Sequence, residues 1–171
     1  MGKLLCPVKT RDFAVCARDQ LNHVLNNARG FPMCIILNTD VSSGKWEHWL
    51  ALYVSNRTRC ELFDSYACPP NFYSVHVPCP TVLLVNKIKL QSESSSVCGH
   101  YCIYYLALRS HGFKAERILS SLNTKSIAGN DRYVGVSTCE MLRQSSQNRK
   151  NVNRTTCTHS CRPLCECERF I

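Results

Sequence analysis

QSESSSVCGHYCIYYLAL, residues 91–108, is the stretch whose reading decides the fold. A polar run over residues 91–97 gives way at Cys98 to Gly99, and then to residues 101–108, the longest uninterrupted apolar run of the chain at eight residues. Eight residues fall far short of the roughly 18–20 that span a bilayer, so the run is expected to be a helix buried in a protein core. The pattern predicts that helix over residues 99–110, stopping at Gly112. A thiol at its start feels the positive end of the helix dipole and unpaired backbone N–H groups, which favour thiolate. Those same N–H groups can stabilise an oxyanion. Gly99, lacking a Cβ, allows another backbone to approach closely, as an incoming peptide requires. By position alone Cys98 could equally be a structural thiol that begins a core helix, since free cysteines are commonly buried.

Working outward, the segments before Cys98 read mainly as strands. Residues 82–90 (VLLVNKIKL) follow a proline-rich stretch over residues 69–80, and residues 60–64 (CELFD) follow the turn at Asn56-Arg57-Thr58. Residues 48–55 (HWLALYVS) predict a half-buried strand, with His48, Leu50 and Leu52 on one face and Trp49, Ala51 and Tyr53 on the other. Residues 33–38 (MCIILN) form a short apolar run bounded by Pro32 and Asp40, the pattern of a buried strand. Residues 12–27 are expected to include a helix with Leu21, Val24 and Leu25 on one face, and residues 114–122 another. Runs of strands followed by runs of helices predict an α+β domain, with a central mixed or antiparallel sheet packed on the apolar helix.

Three further residues join Cys98 through that arrangement. His48 heads its strand, where an imidazole can reach a neighbouring thiol and keep its second nitrogen for an orienting acceptor. Asp64 ends the next strand, so a hairpin of the two sets it beside His48, where a carboxylate would fix the tautomer and stabilise the imidazolium. Gln91, where the apolar strand ends, could supply a side-chain amide to an oxyanion. Singly, each has an ordinary alternative: a strand-edge histidine, a turn-capping aspartate, a loop glutamine.

These residues and their flanks (GKWEHWLALYV, CELFDSY and QSESSSVCGHYCIYYL) resemble the adenovirus-type cysteine endopeptidases, the adenain family. The likeness is nearest to forms carried by Maverick/Polinton-type elements and related animal DNA viruses, and extends more distantly to the SUMO-specific proteases. It spans roughly residues 12–112 and includes ARDQL, MCIILNTD and RSHG. The order His, Asp, Gln, Cys carries it, with Gln-x6-Cys-Gly and a His-Trp pair fifty residues before the Cys. The resemblance implies a papain-like cysteine-protease fold with Cys98 as nucleophile at the helix N-terminus and His48 as general base and then acid. Asp64 would orient His48, although adenovirus enzymes have Glu there. Gln91 and the Cys98 N–H would form the oxyanion hole, and Trp49, with Gly99 opposite, would border a groove for small substrate residues. Cleavage near Gly is implied, without a cofactor for the chemistry. Activation by DNA, or by a short viral peptide that adds a strand and forms a disulfide, is also a family property. Cys79, nineteen residues before Cys98, stands near the place of that activator disulfide, but out of register and between Pro78 and Pro80.

Composition sets the outer limits. The chain of 171 residues, 44% apolar and 19% charged, has room for one core and excludes collagen-like, low-complexity and wholly disordered classes. No secretory signal or membrane span is legible, so the expectation is an unsecreted protein without a membrane partner, in a virion and the host nucleus or cytoplasm. Thirteen cysteines, an odd number, are then expected to be free thiols, most of them small buried hydrophobes. The net charge is +9, and residues 141–171 carry six basic against two acidic side chains. Two units are therefore expected: a protease domain over residues 1–140, and a flexible, basic, cysteine-rich tail over residues 141–171. The tail cluster Cys157, His159, Cys161, Cys165 and Cys167 is too compact for usual zinc spacing, so no metal site is assigned. Its arginines could bind DNA non-specifically. The expected function is a viral-type endopeptidase, a monomer, that matures capsid or core precursor proteins. The alternatives are a deconjugating protease for ubiquitin-like modifiers and a non-enzymatic nucleic-acid-binding structural protein.

Overall fold

A computed structural model describes residues 12–122 and 126–152, with side chains of the last helix described to residue 147. Its architecture is mixed α and β. Five strands, β1 (Asp12–Ala17), β2 (Met33–Asn38), β3 (Trp49–Asn56), β4 (Arg59–Phe63) and β5 (Thr81–Leu84), lie side by side in sequence order. The helices are α1 (Leu21–Asn26), α2 (Cys98–Ser110), α3 (Ala115–Ser120) and α4 (Ile127–Val152). The outer pairs β1–β2 and β4–β5 are parallel, and the inner pairs are antiparallel. Parallel neighbours need a crossover, and α1 with residues 64–80 supplies the two required.

Those crossovers explain why the central strands are so apolar. Along β2 and β3 alternate residues face opposite sides. Cys34, Ile36, Trp49, Ala51 and Phe63 pack with Tyr101, Tyr105 and Leu106 of α2. Met33, Ile35, Leu37, Leu50, Leu52 and Leu62 pack on the other side with Leu21, Val75 and Val77 from the crossovers. Both faces are covered, so every residue of β2 is buried, and β3 is buried on both sides rather than on one as its alternation predicts. The β3–β4 hairpin closes where the sequence places it. Asn56 Oδ1 accepts the Thr58 N–H at 2.9 Å and the Thr58 hydroxyl at 2.8 Å, a side-chain mimic of a backbone turn.

The fold departs from expectation in three places. The helix expected within residues 12–27 is α1, and the residues before it add a strand that the sequence does not mark: Asp12–Ala17 pairs in parallel with Met33–Asn38. The strand expected over residues 82–90 ends at Leu84, because the chain turns inward to be held by Asp64 and Ser65: Val85 N–H donates to Leu62 O at 2.9 Å, Asn86 pairs with the Asp64 backbone, and Leu90 N–H donates to Ser65 O at 2.8 Å. Helix α4 was not foreseen. Its buried stripe is Asn130, Val134, Thr138 and Ser145, mostly polar, so hydrophobic periodicity is silent there. The domain boundary expected at residue 140 falls inside this helix, and Met141 packs against the core beyond it. The cysteines of the tail lie outside the described residues, as does Cys6. Cys16, Cys34, Cys60 and Cys102 are buried, and Cys68, Cys79 and Cys139 are half-buried. Among the described residues no helix is long and apolar enough to cross a membrane.

Candidate active site

Antiparallel pairing of β3 with β4, in the register Ala51 opposite Phe63, places the residue before β3 near the residue after β4. His48 and Asp64 occupy those positions, and His48 Nε2 lies 2.7 Å from Asp64 Oδ1. Asp64 is fully buried, which a carboxylate tolerates only with its oxygens occupied. Oδ1 also accepts the Tyr66 N–H at 3.0 Å, and Oδ2 accepts the Cys68 N–H and the Tyr73 hydroxyl, each at 2.9 Å. Asn86 holds the backbone of the same residue, with Nδ2 donating to Asp64 O at 2.5 Å and Oδ1 accepting the Asp64 N–H at 3.3 Å. With four donors converging, Asp64 acts as acceptor, so Nε2 of His48 carries the proton.

The imidazole is fixed on its faces as well. Tyr66 stacks on His48 at 4.8 Å between ring centroids and Tyr73 at 5.2 Å, both rings within 27° of parallel. Burial opposes a charge on His48. Hydrogen bonds to Asp64 and to the Cys98 thiol outweigh it, and its pKa is pushed up to about 9. Since Nε2 is committed to Asp64, Nδ1 is the nitrogen left for sulfur.

Cys98 is the first residue of α2 and is 8% exposed. It lines a cavity of about 460 Å³ with His48, Trp49, Tyr66, Gln91, Ser95 and Ser96 among its walls. Gln91 is fully buried at its edge. Its Oε1 accepts the Ser65 hydroxyl at 2.6 Å, and its Nε2 donates to Ser95 O at 2.9 Å. The second amide N–H of Gln91 has no protein partner among the described residues. The structure thus brings Cys98, His48, Asp64, Gln91 and Trp49 to one place from four segments of chain.

Trp46 and Trp49 form one wall, with ring centroids 5.5 Å apart. Trp46 takes a left-handed conformation, φ 62°, where the chain swings from the loop over residues 40–45 to His48. Asp40 organises that loop, accepting the Val41 N–H at 2.8 Å and the Lys45 N–H at 2.7 Å. Gly44 makes this closure possible, because a Cβ there would run into the Asp40 carboxylate. At Gly99 the interior leaves room: a Cβ would meet only Trp49, at an ordinary 3.9 Å.

Cys79 is not part of this cavity. It lines a separate one of about 270 Å³ with Phe31, Val54, Cys60 and Val77. Its thiol donates to Thr81 O at 3.5 Å, and burial, then the nearby Cys79, pushes the Cys60 thiol up to about 12. Among the described residues no group of three or more His, Cys, Asp or Glu could hold a metal ion. Ser65, Tyr66, Tyr73 and Asn86 were not singled out from sequence. The first two follow Asp64 directly and could have been inferred from that adjacency, whereas Tyr73 and Asn86 arrive through the crossover, and no spacing rule marks them. No protein-family model matches the chain, nor does any curated protein.

Proposed function

We propose that this protein is a cysteine endopeptidase in which Cys98 is the nucleophile. One observation carries the proposal: a single imidazole, held at 2.7 Å by a buried carboxylate, lines one open cavity with the thiol that starts a helix. Cys98 and His48 react as a thiolate and an imidazolium, with the proton already on His48 Nδ1, and sulfur attacks a substrate carbonyl. Negative charge gathers on the carbonyl oxygen, where the uncommitted Gln91 N–H and the Cys98 backbone N–H supply donors. The imidazolium then protonates the departing amine as the tetrahedral adduct collapses to a thioester. Water attacks the thioester, giving its proton to His48, and the acid product leaves with Cys98 restored. Asp64 keeps the ring aimed through its hydrogen bond to Nε2.

The chain order His48, Asp64, Gln91, Cys98, with the first two at the ends of paired strands against which the nucleophile helix packs, supports the finer reading of an adenain-like, papain-like protease. Substrates are then viral capsid or core precursors, and the wall of Trp46 and Trp49 beside Gly99 suits small residues at the cleavage point. The test is alkylation with iodoacetamide at pH 6 with mapping of the adduct, followed by cleavage of Gly-containing peptides and of ubiquitin-like modifier fusions. Cys98 is expected to react ahead of the other thiols, and Cys98→Ala to abolish peptide cleavage. Equal reactivity of all thiols would remove the proposal, and cleavage of modifier fusions alone would turn it to the deconjugating alternative.

A further inference from the structure

We infer that Asp131, on the first turns of α4, is a positioning residue for the oxyanion donor Gln91. The inference rests on the cysteine-peptidase reading of the cavity and adds a part to it. Asp131 Oδ2 accepts the Ser92 N–H at 3.1 Å, with Oδ1 at 3.4 Å from the same nitrogen. Asp131 Oδ1 also lies 3.0 Å from the Tyr101 hydroxyl, which shares its single proton between that oxygen and Leu90 O at 2.7 Å. Asn130 Nδ2 donates to that carbonyl at 3.3 Å.

The two residues flanking Gln91 are therefore tied to α4, while its side chain is tied to Ser65 and Ser95. Tyr101 lies one turn after Cys98 on α2 and is fully buried. One cluster of hydroxyl and carboxylate thus joins the helix of the nucleophile, the turn of the oxyanion donor and the helix that follows the catalytic segment. An amide aimed at a developing oxyanion acts only from a fixed place, because its contribution falls steeply with misplacement. Asp131 touches neither sulfur nor substrate, and its effect passes through the backbone of residues 90–92.

The experiment compares wild type, Asp131→Ala, Asp131→Asn, Gln91→Ala and the double variant Gln91→Ala/Asp131→Ala in the full chain. Three readouts separate positioning from general damage: kcat and KM on a Gly-containing peptide, affinity for a peptide aldehyde, and the alkylation rate of Cys98 by iodoacetamide. The aldehyde forms a thiohemiacetal whose oxygen sits where the oxyanion does, whereas alkylation needs no oxyanion donor. Gln91→Ala is expected to lower kcat and aldehyde affinity by about 100-fold. Asp131→Ala is expected to lower both by roughly tenfold with KM and alkylation within about twofold, and Asp131→Asn, which keeps an acceptor oxygen, to recover most of the loss. The double variant is expected to match Gln91→Ala, as it must when one residue acts through the other. Losses that multiply in the double variant, alkylation falling in parallel with kcat, or an Asp131→Ala enzyme indistinguishable from wild type would each overturn the inference. Should Asp131→Ala not fold, Tyr101→Phe, which removes the hydroxyl that meets Asp131 Oδ1, takes its place: kcat and aldehyde affinity are expected to fall with alkylation within about twofold, and an unchanged kcat would overturn the inference. Failure of wild type to form an aldehyde adduct would sink the peptidase reading and the inference with it, an outcome distinct from an adduct that ignores Asp131.

Discussion

At the scale of single residues, His48 governs how the molecule answers to pH. Its folded pKa of about 9 stands above the ordinary 6.5, so the folded state holds a proton that the unfolded state releases over that interval. A raised pKa contributes stability that is fully present below the unfolded value and lost as pH rises through the folded one. Urea denaturation from pH 6 to 10 is therefore expected to show stability declining between about 6.5 and about 9, and His48→Gln to lack that part of the slope. Peptide cleavage should fall on its alkaline side near the same upper value, where the imidazolium that protonates the leaving amine disappears. A cleavage profile with its alkaline limb near pH 7 would show that Asp64 and Cys98 do not hold the proton as the geometry implies. The residues that make the pair were legible in sequence because each sits at the end of a strand whose neighbour could be inferred. The tyrosines that clasp the ring were not, since Tyr73 reaches His48 from a short 3-10 turn, Pro70–Tyr73, inside a crossover with no periodicity to read.

Between elements, α2 is fastened to the sheet by a polar clamp as well as by its apolar face. Arg109 Nε donates to Glu61 Oε2 at 2.7 Å and its terminal nitrogen to Oε1 at 2.8 Å, a bidentate pair joining α2 to β4. Tyr105 donates to the same carboxylate at 2.7 Å, and the guanidinium lies over the Tyr53 ring at 4.3 Å. Both charged side chains are nearly buried, so removing one leaves the other uncompensated. Arg109→Met is expected to lower stability by about 3 kcal/mol in urea denaturation, and Glu61→Met/Arg109→Met to recover most of it. Equal losses in single and double variants would mean that packing of the Arg109 stem, not the charge pair, carries the effect. Apolar runs such as residues 33–38 announced the central strands because both faces of them are covered. Edge strand β1 is not legible because its parallel partner lies beyond α1, and pairing of that kind leaves no local mark. The end of β5 was misread for a related reason: the hydrogen bonds that turn residues 85–91 away from the sheet come from Leu62, Asp64 and Ser65, more than twenty residues earlier.

For the whole molecule, α4 decides where the folded unit ends. Polarity and charge placed a boundary at residue 140, yet the helix continues to Val152 and keeps contact with the core on both sides of that point. Thr138 donates to His100 O at 3.2 Å, Met141 packs against the cluster around α2, and Ser145 is buried with its hydroxyl on Met141 O at 2.8 Å. The helix buries a polar stripe, and it is placed by tertiary contacts rather than by an amphipathic pattern, which is why composition does not mark it. A chain ending at residue 140 therefore loses the Met141 contact and the buried Ser145. Burial of one methionine alone is worth about 2–5 kcal/mol by the cost of truncating such side chains, less where the site is half-open, so a loss near the lower figure is expected. A second chain ending at residue 152 separates the helix from the basic segment after it, and is expected to unfold with the full chain. The same comparison reaches the site, because α4 begins at the turn that carries Gln91. Aldehyde affinity should weaken in the chain ending at 140 and not in the chain ending at 152. Equal melting of all three chains would return the boundary to residue 140 and leave the second half of α4 without a part in holding the fold.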